Sequence, residues 1–522
     1  MRSSALTLLT LLTLLLPLAI PTTQGAEQPS KPNILLILAD DIGYADLSCT
    51  GAKHVSTPAL DQLAAQGIRF TNAHSPASTC TPTRRALLTG TYSWRQRPGS
   101  SIAPGDAPLS IPPGTTTLPS LLKQAGYHTG IVGKWHLGLG PAEGPDWNNE
   151  IKPGPLEIGF DQSFIMAATG DRVPTVYVKD HRIVGLDPKD PISVSYKEKV
   201  GTEPTGRENP EALKLKHTHG HDFTIVNGIG RIGWMTGGKS ARWVDEEMAD
   251  TFTRQGVEFI EKNANTPFFL YFATHNIHVP RVPHPRWKGS SPAGTRGDAI
   301  HELDASVAQL LKTLDRLNLA ENTLVLFTSD NGGVMDDGYE DVGKFDYTPN
   351  APLRGYKGSL WEGGHRVPFI ARWPGKIVPG SVSDTLIAHL DLPATMASLT
   401  GTTIPAGQCT DSFNLLPALL GKSVPQPLRP HFVAHNGGVQ GPFSLQVGPW
   451  KYIENTPPDR IADTREKNPS PKAAQNPQQK RPALFNLAED LSEQKNLADQ
   501  NPEKLKEMRD LLARLRENSN SR

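Results

Sequence analysis

The stretch NILLILAD, Asn33–Asp40, decides how this chain folds. It is a short, unbroken apolar run with no polar alternation, which marks a strand buried on both faces. It stops at an acidic pair, Asp40 and Asp41. Next comes STPALDQLAAQGIRF, where Thr57 can cap a helix, Pro58 suits its first turn and Gly67 can end it. TTLPSLLKQAGYHTGIVG repeats the scheme, helix then strand. So do EEMADTFTRQGVEFIEKN with TPFFLYFAT, and AIHELDASVAQLLKTLDRLNL with NTLVLFTSD. Strands alternating with amphipathic helices predict an α/β fold: a large mixed, mostly parallel sheet sandwiched by helices.

Outward from this core the chain changes character. The N-terminus, MRSSALTLLTLLTLLLPLAIPTTQGA, has one basic residue, an apolar run and then small residues, the pattern of a cleavable signal peptide over residues 1–25. No later segment is apolar enough to span a bilayer, so the expectation is a secreted or periplasmic protein without a membrane anchor. Beyond residue 428, HFVAHNGG, PFSLQVGPWKYIEN and PALFNLAED predict short antiparallel strands, with a polar loop from Thr456 to Arg481 and a closing amphipathic helix in NPEKLKEMRDLLARLREN. The expected division is residues 26–428 as an α/β domain and 429–522 as a small α+β domain. Lys+Arg and Asp+Glu balance at 53 each among 522 residues, which argues against a nucleic-acid or anionic-membrane partner. With 47 Gly and 47 Pro, together about 18% against the usual ~12%, long irregular loops are expected on the scaffold.

In open α/β sheets, sites gather beyond the carboxyl ends of the strands. The chemically capable residues stand there: Asp40 and Asp41, Lys134 and His136 after IVG, His275 and His278 after FFLYFAT, Asp330 and Asn331 after TLVLFTS. Two oxygen-donor pairs directly after buried strands suit a hard cation, Ca²⁺ or Mg²⁺, better than Zn²⁺. Five basic groups, Arg84, Lys134, His136, His278 and Lys357, describe a pocket for a small dense anion. One of the three cysteines, Cys80, lies in STCTPTRRALLTG. Its polar neighbours and Pro82 do not read as a core strand, so Cys80 reads as part of a site.

Cys80-Thr-Pro82-Thr-Arg84 followed by ALLTG resembles the signature of the type I, formylglycine-dependent sulfatases of the alkaline-phosphatase-like superfamily. NILLILADDIGYADLS, GIVGKWHLG, TSDNGG, YKGSLWEGGHRVPFI and LFNLAEDLSEQKNLA follow in that family's order. Thr83 stands where many members have Ser or Ala. The resemblance implies that a separate maturation enzyme oxidises Cys80 to formylglycine (3-oxoalanine). The hydrated aldehyde then carries two hydroxyls on one carbon: one attacks sulfur and the other later expels sulfate. It also implies that Asp40, Asp41, Asp330 and Asn331 hold Ca²⁺ together with the modified Cys80. Arg84 orients the hydrate, and Lys134 and Lys357 bind sulfuryl oxygens. His278 gives a proton to the departing alcohol, and His136 takes the proton that triggers sulfate release.

A phosphatase or phosphodiesterase of the same superfamily is the enzymatic alternative, and an inactive glycan-binding relative the non-enzymatic one. Asp171 and Arg172, in the region after GFDQSF, are the candidate substrate contacts. The alternating histidines His217, His219 and His221 read as a polar pocket rim. The expected substrate is a sulfated carbohydrate, with an aryl sulfate as the broader option.

Overall fold

Ten strands form the main sheet of the protein, whose computed structural model describes residues 31–96, 101–218, 220–334, 338–339, 347–422, 427–436, 441–456 and 481–522. The expected signal peptide, nearly all of the loop between Thr456 and Arg481, and His219 lie outside the described residues. In chain order the strands are β1 (Asn33–Ala39), β2 (Ile68–Phe70), β3 (His128–Lys134), β4 (Gln162–Met166), β5 (Tyr177–Lys179), β6 (Arg182–Ile183), β7 (Phe268–Ala273), β8 (Thr323–Ser329), β9 (Phe369–Arg372) and β10 (Ser381–Ser383). They lie in the order β10-β2-β9-β8-β1-β7-β3-β4-β5-β6. The five central strands, β8, β1, β7, β3 and β4, run parallel. Antiparallel pairings enter toward both edges.

The apolar run Asn33–Ala39 explains the centre of this arrangement. Its even residues Ile34, Leu36 and Leu38 join one core with Leu87, Leu118, Leu122 and Met396. Its odd residues Leu35 and Ile37 join a second core with Leu60, Phe252, Ile300 and Leu303. Helices α1 (Pro58–Ala65), α4 (Met248–Lys262) and α5 (Gly294–Arg316) therefore cover one face, and α2 (Cys80–Thr89), α3 (Leu118–Gln124) and α7 (Leu392–Thr400) the other. Each fully buried Ile or Leu of β1 contributes about 1.5–3 kcal/mol relative to exposure. A strand with no polar face has no other stable place.

Helix α1 begins at Pro58 as expected, but Thr57 does not cap it. The Thr57 hydroxyl serves Ser48, while the backbone amides of Ala59 and Leu60 donate to the Asp304 carboxylate of α5 at 3.0 and 2.9 Å. A carboxylate 244 and 245 residues along the chain accepts both amides and brings negative charge to the helix start. Gly67 does not end the helix by a left-handed turn either; a Cβ there would lie 2.1 Å from the carbonyl of Ala371, so β9 demands glycine by close approach.

The C-terminal segment forms the expected antiparallel sheet: β11 (Phe432–His435), β12 (Phe443–Val447), β13 (Trp450–Ile453) and β14 (Ala483–Asn486), with α8 (Pro502–Glu517) against it. Its core is shared with the larger sheet's helices. Ala86, Tyr92, Trp361 and Leu390 join Phe432, Leu445, Phe485 and Leu512 in one cluster. The small sheet domain belongs to the same compact unit, Pro32–Arg522.

Candidate active site

Four neighbouring strands deliver the candidate residues to one edge. Asp40 and Asp41 follow β1, Lys134 ends β3 with His136 just beyond, His278 follows β7, and Asp330 and Asn331 follow β8. The fifth parallel strand, β4, leads to Asp171 and Arg172. Helix α2 brings Cys80 as its first residue and Arg84 one turn later, and all ten of its residues are buried. The sequence excluded a core strand at Cys80; the structure supplies a buried helix start, where unpaired backbone amides favour negative charge. The Thr83 hydroxyl donates to the Ala77 carbonyl at 2.9 Å, which explains how Thr is accommodated.

Three carboxylates, Asp40, Asp41 and Asp330, face three cations. The Arg84 Nε and Nη2 reach Asp330 Oδ2 at 2.9 and 2.8 Å, and its Nη1 donates to the Lys134 carbonyl at 3.1 Å. Lys134 Nζ donates to Asp40 Oδ2 at 2.5 Å. Lys357 Nζ donates to Asp41 Oδ2 at 2.8 Å, and Asn331 Nδ2 to Asp41 Oδ1 at 2.7 Å. Asp41 adopts a left-handed backbone, φ 61°, held by its amide on Asp330 Oδ1 and by Arg296 on its carbonyl. Arg296 is fixed in turn by Asp46 at 2.6 Å. This support from α5 was not legible in the sequence.

Burial and Asp330 beside it push the Asp40 carboxyl up to about 8, against the pull of Lys134. Burial acts the same way on Asp41, but Lys357, His278 and Lys134 outweigh it and hold Asp41 well below the ordinary range. Two buried oxygens, Asp40 Oδ1 and Asn331 Oδ1, have no hydrogen-bond partner among the described residues. Unpartnered buried oxygens beside carboxylates are what a hard cation satisfies, so the residues fit Ca²⁺.

Both histidines have one nitrogen committed. His136, at φ 57°, donates from Nε2 to the Ala103 carbonyl at 2.9 Å, which leaves a buried Nδ1 with no partner among the described residues. Burial first, then Lys134 and Arg172, keep this imidazole neutral, well below its usual value. His278 donates from Nδ1 to the Val279 carbonyl at 2.9 Å, which leaves Nε2, 3.9 Å from Asp41 Oδ2. Burial and Lys357 press its pKa down to about 3. His275, two residues past the strand, instead lays its ring 5.8 Å from Phe252 of α4.

Asp171 and Arg172 are not a surface pair. Asp171 is 3% exposed, and Arg172 Nη1 meets its Oδ1 at 3.0 Å. Thr169 donates to the same carboxylate, and His221 Nε2 lies 2.9 Å from Asp171 Oδ2. Burial opposes the Arg172 charge, but Asp171 beside it favours the charged form and raises the guanidinium above its ordinary value. His221 is thus more than a rim residue. The alternation in HTHGHD does not show that His221 would meet Asp171.

A sulfatase family model matches residues 32–402. An N-acetylgalactosamine-6-O-sulfatase of Bacteroides thetaiotaomicron is 47% identical over 492 residues, 94% of each chain. The chain belongs to the sulfatase family. It is similar at greater distance to human arylsulfatase A, 32% identical over 93% of this sulfatase and 88% of the relative. A solved Bacteroides thetaiotaomicron structure from work on the metabolism of glycosaminoglycans superposes with a TM-score of 0.87 at 46% identity, covering 94% of this chain and all of the other. The sulfatase is accordingly a sulfuric ester hydrolase of the alkaline-phosphatase-like superfamily. The phosphatase, phosphodiesterase and inactive-binder alternatives are set aside.

Proposed function

We propose that this sulfatase removes the 6-O-sulfate of N-acetylgalactosamine units in a sulfated glycan, using a formylglycine made from Cys80 and a bound Ca²⁺. The observation that carries the substrate is the 47% identity, over 94% of both chains, to an enzyme of that specificity. We further propose export to the periplasm or exterior, from the N-terminal pattern of residues 1–25.

The chemistry follows from the residues present. Asp40, Asp41, Asp330 and Asn331 would hold the cation, which when bound supplies positive charge for the nucleophile and the sulfuryl oxygens. Lys134 and Lys357 would exchange part of their carboxylate pairing for sulfuryl oxygens, where charge is stabilised as the S–O bond breaks. One hydroxyl of the hydrated residue 80 gives up its proton to the surrounding carboxylates and attacks sulfur, and the S–O bond to the alcohol breaks. His278 Nε2 passes a proton to the leaving alcohol oxygen, and the approaching sulfate anion favours the imidazolium that this requires. His136 Nδ1, free and buried, then accepts a proton from the second hydroxyl. The C–O bond to sulfate breaks, sulfate departs, and the aldehyde re-forms and rehydrates. Asp171, Arg172 and His221 would contact the sugar.

Sulfate release should be measured from 6-sulfated N-acetylgalactosamine, 4-sulfated N-acetylgalactosamine and 6-sulfated N-acetylglucosamine. The first should turn over at least ~100-fold faster than the others, the discrimination available when buried polar groups read a hydroxyl. Equal rates on all three, or preference for a simple aryl sulfate, would overturn the substrate assignment.

A further inference from the structure

A buried charged cluster outside the site joins the small sheet domain to the loop that carries Lys357. Lys451 of β13 is 1% exposed, and Glu362 and Glu493 are fully buried. Lys451 Nζ reaches Glu362 Oε1 and Glu493 Oε1 at 2.8 Å each, and lies 3.3 Å from His365 Nε2. Arg366 meets the other oxygen of Glu362 at 3.0 Å, so two cations balance two carboxylates. His74, Glu362 and His365 bring ligand atoms close enough together for a metal. The ammonium of Lys451 already stands on two of those three residues, so the fold supplies its own cation there.

What this cation anchors is a four-residue helical turn, α6 (Glu362–His365). The Glu362 amide also donates to Glu493 Oε2 at 2.6 Å. The turn lies close against two working loops, with backbone meeting backbone at several points. A Cβ on Gly332, next to Asn331, would stand 1.8 Å from the Gly363 carbonyl, and one on Gly363 would stand 2.4 Å from the Gly355 carbonyl. The Gly332 amide donates to the Gly364 carbonyl at 3.0 Å, and the Gly363 amide to the Arg354 carbonyl at 2.7 Å. Lys357 sits on that same loop, its amide on the Gly333 carbonyl at 3.2 Å, and the Gly358 amide ties the loop to Ser78, two residues before Cys80, at 2.7 Å. With glycine backbone packed this closely against both loops, a displacement of Glu362 is passed on to them.

We infer that Lys451 is a positioning residue for catalysis: by holding Glu362, the small C-terminal domain sets the placement of Lys357. The inference rests on the reading of Lys357 as a sulfuryl-binding group. Its test uses the whole, matured protein with Lys451→Met, Glu493→Gln, Lys357→Ala and the double variant Lys357→Ala/Lys451→Met. The readouts are kcat and KM on a sulfated sugar, inhibition by inorganic sulfate and the unfolding midpoint. Lys451→Met and Glu493→Gln should lower kcat/KM by ~10–100-fold in protein still folded at the assay temperature, the scale of a small misplacement. They should weaken sulfate inhibition in parallel. The loss should nearly vanish in the Lys357→Ala background, since coupled residues are not additive. A folded Lys451→Met with normal turnover and sulfate inhibition, or a loss that persists undiminished without Lys357, overturns the inference alone. Should Lys451→Met fail to fold, Glu493→Gln decides by the same criteria. A Lys357→Ala protein with unchanged turnover overturns the reading of Lys357 and this inference with it.

Discussion

Replacing His278 by Ala separates leaving groups if this residue is the acid. The imidazole is committed at Nδ1 to the Val279 carbonyl and offers only Nε2 to the site. Its neighbours cannot stand in. Lys134 and Lys357 are committed to the sulfuryl oxygens in the proposed reaction, and His275 is turned onto Phe252. The variant therefore loses the whole of its acid assistance, ~10²–10⁴-fold on a sugar sulfate, which is about 3–5 kcal/mol of barrier. A nitrophenolate leaves without a proton, so on nitrophenyl sulfate the loss should stay below ~10-fold. The fold should survive, because the structure records one hydrogen bond lost, worth about 1 kcal/mol. The assay is kcat/KM on both substrates for wild type and variant, with the unfolding midpoint as control. Equal losses on the two substrates would refute the acid role and leave His278 a binding or positioning group.

Four further outcomes are expected. Peptide mass spectrometry of protein made with a maturation enzyme should show aldehyde or hydrate at residue 80 and unmodified thiols at Cys49 and Cys409; thiol alone at Cys80 would sink the nucleophile. Activity lost on chelation should return with Ca²⁺, and return with Zn²⁺ alone would contradict the all-oxygen ligand set. His136→Ala should slow turnover on sugar and nitrophenyl substrates alike once sulfate release limits the rate, and a substrate-dependent loss would contradict the base role. Glu302 of α5 accepts from Asn276 and the His284 amide, and burial raises its carboxyl to about 7. Because the folded value lies above the unfolded one, its stabilisation is complete below about 4.5 and fades as pH rises through 7. Relative to Glu302→Gln, wild type should lose at most about 3 kcal/mol between pH 4.5 and 8 in denaturant unfolding, and parallel curves would show no such linkage.

The layers and the edge on which chemistry gathers follow from local pattern. The run Asn33–Ala39 admits only a strand covered on both faces, and the residues that end such strands must lie along one rim. That is why Asp40, Asp41, Lys134, His136, His278, Asp330 and Asn331 could be named from local pattern. What holds them in place is set by residues far apart in the chain. Asp304 rather than Thr57 receives the first amides of α1, Asp171 is buried between Arg172 and His221, and Lys451 of the last sheet grips Glu362 beneath the Lys357 loop. Each of these pairs residues separated by dozens to hundreds of positions, except the adjacent Asp171 and Arg172. Burial and charge balance choose such partners only once the chain has closed around them, because a carboxylate left alone in that interior would be driven to seek a cation wherever the fold brings one.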